Sequence, residues 1–154
     1  MGARTVGLIA IGLWLVTAVG FGVMFVKGQT LPAEDGRTTI VLSPAEKEAV
    51  LAEMRHMLET VQAVTAALAD DDIVAAANAA RQSGTAAAAD MNPALMTKLP
   101  LDFKQFGMSV HAEFDALATR ADQGADRTTL LRGLADQLSS CVACHASYRL
   151  GTEQ

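Results

Sequence analysis

Ser140-Cys141-Val142-Ala143-Cys144-His145-Ala146-Ser147-Tyr148-Arg149 holds both cysteines of the 154-residue chain, and a histidine directly follows the second. Upstream, Leu131, Leu134 and Leu138 lead into Cys141, His145 and Tyr148 at spacings of three and four residues, which is a helical period. The spacing predicts one helix whose leucine seam runs into the cysteine pair. Cys141 and His145 are expected on its core face, with Cys144 at the edge. Asp126, just after the Gln123-Gly124 turn, is the expected N-cap.

The chemistry follows from the spacing. C-x-x-C-H is the attachment signature of c-type haem. Two thiols add to the two haem vinyl groups and the adjacent imidazole becomes the proximal iron ligand. Two intervening residues let one helical turn present both sulfurs to one porphyrin edge. A zinc site would need a further ligand nearby. A dithiol redox motif belongs at the start of a helix in an α/β pattern, whereas this motif lies near the end of a helix in a helical chain. The expected cofactor is therefore one covalently bound haem c, held by Cys141 and Cys144, with His145 on the iron.

Three more amphipathic helices are expected before this one. Ser43, Pro44 and Glu46 form an N-cap, a first-position proline and a capping box. Val50, Met54, Met57, Val61, Val64 and Leu68 then make a seam of period 3.5, widened by Leu51, Leu58 and Thr65. Asp70-Asp71-Asp72 ends that helix and caps the next, which is alanine-rich from Ile73 to about Ala89 and loosened at Ser83-Gly84. Its small side chains suit close packing against a neighbouring helix or a second subunit, so a homodimer stays open. A loop carries Asn92-Pro93 and Leu99-Pro100. Asp102 is the expected cap of the next helix, whose buried stripe is Phe103, Phe106, Val110, Phe114 and Leu117. The fold class is thus all-α: an antiparallel up-down-up-down four-helix bundle, preceded by a single transmembrane helix.

That first helix comes from Val6 to Val26, 21 residues without a charge. At ~1.5 Å per residue they span roughly 31 Å, enough for a bilayer core. The run is longer than the apolar part of a cleaved signal peptide, and no A-x-A site follows, which favours an uncleaved anchor. Residues 1–27 are read as the anchor, 28–42 as a linker from which the domain can swing, and 43–154 as the cytochrome domain. Haem of this type is attached outside the bacterial cytoplasm, which puts the domain in the periplasm and the anchor in the inner membrane. All 17 acidic residues follow Gly28, against ten of the basic ones, a net charge of −7 beyond the anchor. That repels nucleic acid and suits a redox partner protein with a basic docking face. The sequence carries no nucleophile with a base, no phosphate loop and no paired carboxylates at a recognisable spacing. It is not read as an enzyme.

The stretch Cys141 to Arg149, with its C-x-x-C-H-x-x-Y-R pattern near the end of a four-helix chain, resembles the cytochrome c′ family over about Ser43 to Leu150. The resemblance implies the haem-bearing bundle and two functional branches. In one, the iron has only the proximal histidine and binds nitric oxide or carbon monoxide, with an apolar residue over the other face. In the other, a first-helix methionine completes a low-spin haem that carries electrons. Tyr148 and Arg149 match the family motif and are implied haem contacts. In such a bundle the end of the fourth helix lies beside the start of the first. His145 then faces the level of Val50 to Met54, with Met57 about one turn farther. Met54 is the chosen distal ligand; Met57, or an open site shielded by Val50 or Leu51, is the alternative. Arg55 is a candidate partner for a haem propionate. His56 is expected to be exposed and His111 to be a satisfied, half-buried histidine. The expected function is electron transfer by a membrane-anchored monohaem cytochrome, and the alternative is gas binding or sensing.

Overall fold

The computed structural model describes residues 2–89 and 91–152. Within them lie six helices and a three-stranded sheet. The apolar helix α1 runs Ala3–Lys27 with no buried residue, and it is long and apolar enough to cross a membrane. Strands β1 (Thr30–Pro32) and β2 (Thr38–Leu42) follow, then helices α2 (Pro44–Ala69), α3 (Ile73–Arg81), α4 (Pro93–Lys98), α5 (Leu101–Asp122) and α6 (Arg127–Ser147), and strand β3 (Tyr148–Thr152).

The chain is mostly helical, but the sheet corrects the all-α expectation, and residues 28–42 do not form a free tether. β1 and β2 make an antiparallel hairpin, and β3 pairs with β2 in parallel from Thr38↔Tyr148 to Leu42↔Thr152. The signals were present in the sequence. Thr38-Thr39-Ile40-Val41-Leu42 is a β-branched run with alternate residues inward, and Ile40 and Leu42 are fully buried. Asp35-Gly36 supplies the turn, with Gly36 at φ 82°. Pro32 lies on the edge strand, where a missing N–H costs no ladder bond.

The start of α2 forms as its sequence dictates. Ser43 accepts the Glu46 N–H, and the Glu46 carboxylate accepts the Ser43 N–H. α2, α3, α5 and α6 close a ring of contacts, α2 on α3, α3 on α5, α5 on α6 and α6 on α2. Their core holds Val64, Leu68, Ala76, Ala80, Val110, Phe114, Leu117, Leu130 and Leu134. Small residues let α3 approach closely. A side chain at Gly84 would strike the Asp115 carboxylate, which accepts the Thr85 N–H and hydroxyl at 2.9 and 2.7 Å. α3 stops at Arg81 rather than reaching Ala89, and turns continue from residue 82. Ser83 is pulled inward, its hydroxyl 2.8 Å from that of Thr60.

Several register details differ from the expected stripes. The inward face of α6 is Leu130, Leu134 and Gln137, with Cys141, Cys144 and Tyr148 continuing it half-buried. Leu131 and Leu138 are 41% and 37% exposed. Both leucine series have helical spacing, so periodicity alone does not choose between them; Gln137 hides the true one by being polar while donating to the Val110 carbonyl. Leu58 points outward, with Thr60 buried in its place. α5 starts at Leu101 after Pro100, so Asp102 lies in its first turn and is not the cap. The 93–98 stretch, expected as loop, forms α4 because Asn92 caps it and Pro93 takes its first position.

Because Leu42 is fully buried, Leu42→Ala should lower stability by about 2–5 kcal/mol. Chemical denaturation checks this; a free tether at 28–42 would leave the midpoint unchanged.

Candidate haem site

α6 and β3 deliver Cys144, His145, Tyr148 and Arg149 to one side of a cleft, and α2 delivers Lys47, Leu51 and Met54 to the other. Phe103 of α5, Leu150 and Arg37 of the β1–β2 hairpin complete the walls of this space of about 230 Å³. Phe103 and Tyr148 meet edge to face, with ring centroids 5.5 Å apart. The cysteines straddle two apolar clusters. Cys141 packs on the core of the helix ring, and Cys144 packs with Met54, Tyr148 and Leu150 on a second cluster built on Ile40, Leu42, Leu95, Leu99 and Phe103.

The two cysteines are not joined by a disulfide. Burial pushes the Cys141 thiol up, with a further push from the charge of Glu113, and burial and Cys141 do the same for Cys144. A redox dithiol needs the reverse, a thiolate favoured at a helix N-terminus. Here the thiols lie in the last turns of α6, where the helix dipole opposes negative charge. Among the described residues no three His, Cys, Asp or Glu side chains group so as to hold a metal ion. The residues that would serve a covalently attached haem are Cys144, His145 and Met54 at the cleft, with Cys141 one turn earlier in α6 and packed on the neighbouring core.

His145, expected on the core face, lines the cleft but is exposed, while Cys144, expected at the edge of that face, is half-buried. The cause is the α6 register, which turns residues 141, 144 and 148 inward together. Met54 lines the cleft, whereas Met57 packs into the other cluster. Arg55 is turned away from the cleft, one residue round the helix from Met54, and pairs with Glu48 at 2.5 Å in solvent. The bases at the cleft are Arg37, Lys47 and Arg149. Arg37 donates to the His145 carbonyl at 3.5 Å, and both Arg37 and Arg149 approach Asp35, at 2.7 and 3.9 Å. Arg37 and Lys47 carry no local signal in the sequence, because their place at the cleft depends on the hairpin and on the start of α2 meeting α6.

The other histidines are accounted for. His111 is buried and its Nδ1–H donates to the Ser83 carbonyl at 2.9 Å. His56 is half-buried rather than exposed, its Nε2 3.0 Å from the Gln82 carbonyl oxygen. No protein-family model matches the sequence, and neither the curated proteins nor the solved structures provide a match.

Glu46 ties the beginning of α2 to α4 through Lys98 at 2.8 Å. That bond, helped by Ser43, holds the Glu46 carboxyl down at about 2, against an ordinary 4.5. A depressed carboxyl stabilises the fold fully above pH 4.5, and the contribution fades as pH falls towards 2. Acid titration of unfolding should therefore show a loss across that window, and Glu46→Gln should reduce its steepness. An identical acid limb in the variant would contradict the assignment.

Proposed function

We propose that this protein is a membrane-anchored, single-haem c-type cytochrome of the cytochrome c′ kind that carries electrons. The observation that carries the reading is the meeting of Met54 with Cys144 and His145 across one cleft. On this reading α2, α3, α5 and α6 are the up-down-up-down four-helix bundle, and the haem completes its core at one end. Cys141 and Cys144 would hold the haem, and His145 and Met54 would be its iron ligands. When bound, the haem supplies a one-electron ferric/ferrous carrier, and a thioether ligand raises its potential.

The chain's own residues prepare the place. Phe103 and Tyr148 brace each other at the wall. Arg37 holds the backbone at His145, and Arg37, Lys47 and Arg149 offer positive charge to carboxylates. Arg55, expected to do this, is occupied by Glu48. α1 is the single-pass anchor in the bacterial inner membrane, with the domain in the periplasm. A redox partner protein exchanges the electron. A second reading, a five-coordinate module for nitric oxide or carbon monoxide, draws on Leu51, which shares the cleft with Met54 and would shield the iron.

The full chain made in a host that matures c-type cytochromes should carry haem that resists acid-acetone extraction, and Cys141→Ser with Cys144→Ser should abolish that retention. Met54→Ala should convert a low-spin ferrous spectrum into a high-spin one, whereas Met57→Ala should leave the spectrum alone and lower stability. Survival of the low-spin spectrum in Met54→Ala would refute the ligand assignment.

A further inference from the structure

The end of α1 is locked to the domain. Lys104 is 7% exposed, and its ammonium donates to the Phe25 carbonyl at 2.6 Å and to the Met96 carbonyl at 3.1 Å. It also stands 3.4 Å from the centroid of the Phe25 ring. Phe25 lies in the last turn of α1, where carbonyls have no partner within the helix and the dipole attracts a cation. Burial pushes the Lys104 ammonium towards neutrality, so this placement is costly unless the carbonyls and the ring compensate. The chain beyond is equally fixed. Gln29 donates to the Lys98 carbonyl at 2.7 Å. Gly28, at φ 62°, runs so close to residues 98–100 that a side chain there would strike their backbone.

The neighbour of Lys104 is Phe103, a wall of the cleft. The cleft and the exit of the anchor therefore share one end of the domain. Lys27, Lys47, Lys98 and Lys104 belong to that end with Arg37 and Arg149, but Lys104 is buried, Glu46 pairs with Lys98, Asp35 pairs with Arg37, and Glu34, Glu48 and Asp102 share the same end. At the opposite end lie the exposed Asp70, Asp71, Asp72, Asp122 and Asp126, with Asp71 3.9 Å from Arg127 at the start of α6.

We infer that the cleft end of the domain rests on the membrane surface in the fixed orientation that the lock on α1 imposes, with Lys27 and Lys47 meeting phosphate-bearing lipid headgroups. α1 directs this end to the bilayer, and the aspartate end is repelled by the same headgroups. Any redox exchange through the cleft then takes place at headgroup level, with a partner embedded in the same membrane. The inference rests on α1 spanning the membrane and needs no haem.

Two tryptophan probes in a Trp14→Phe background test it. Glu48→Trp marks the exposed start of α2 near the cleft, and Thr128→Trp marks the exposed start of α6 at the far end. α2 alone spans roughly 39 Å at ~1.5 Å per residue. The full chain is reconstituted in nanodiscs of phosphatidylglycerol and phosphatidylcholine bearing dansyl-labelled headgroups. Emission from the Glu48→Trp probe should be quenched several-fold more than emission from the Thr128→Trp probe. Lys104→Met, checked for folding by circular dichroism, should narrow that contrast, and Lys104→Arg should restore it. Equal quenching of the two probes, or stronger quenching at the far end, would overturn the inference while leaving the anchor reading intact. Failure of the full chain to enter the discs would remove both.

Discussion

The pairing of β2 with β3 is the constraint on which the arrangement depends. β3 begins at Tyr148, three residues after His145, and β2 ends at Leu42, directly before the cap of α2. Five residues of parallel ladder thus bind the end of α6 to the start of α2, and Ile40 and Leu42 bury that ladder against α4 and α5. Contacts between α2 and α6 alone would leave their relative height to side-chain packing. The strands fix it by backbone hydrogen bonds, which cannot slip by one residue without turning Ile40 and Leu42 outward. Met54 faces the cysteine–histidine turn because of that register.

The same short segment joins the cleft to the membrane. The hairpin leaves α1 at Gly28 and returns Arg37 to the His145 carbonyl. Lys104 holds α1 from the other side, one residue from the aromatic wall. The exposed Asp70, Asp71, Asp72, Asp122 and Asp126 lie at the end of the domain away from α1, whereas acids and bases mix at the cleft end.

Much of the helical scaffold was legible. The capping box at Ser43, the aspartate caps at Asp72 and Asp126 and the apolar helix each rest on local chemistry that a sequence states directly. The sheet was present in the β-branched run 38–42, but its partner strand lies more than a hundred residues away, and Glu34-Asp35-Gly36 looks like linker until that partner is seen. The α6 register was ambiguous because leucine occupies both 130 and 131, and the deciding residue, Gln137, is polar. At the candidate site, the level of Met54 followed from helix geometry. Arg37 and Lys47 did not, because they reach the cleft only through tertiary contacts, and Arg55, adjacent to Met54 in sequence, is carried to solvent by its helical angle.

On the proposed reading, His145 and Met54 would both ligate a haem iron in the cleft between α2 and α6. The most direct measurement is the absorption spectrum of the reduced full-length protein before and after carbon monoxide. The account predicts sharp low-spin ferrous bands that carbon monoxide leaves nearly unchanged. A high-spin spectrum that shifts at once on adding carbon monoxide would contradict it.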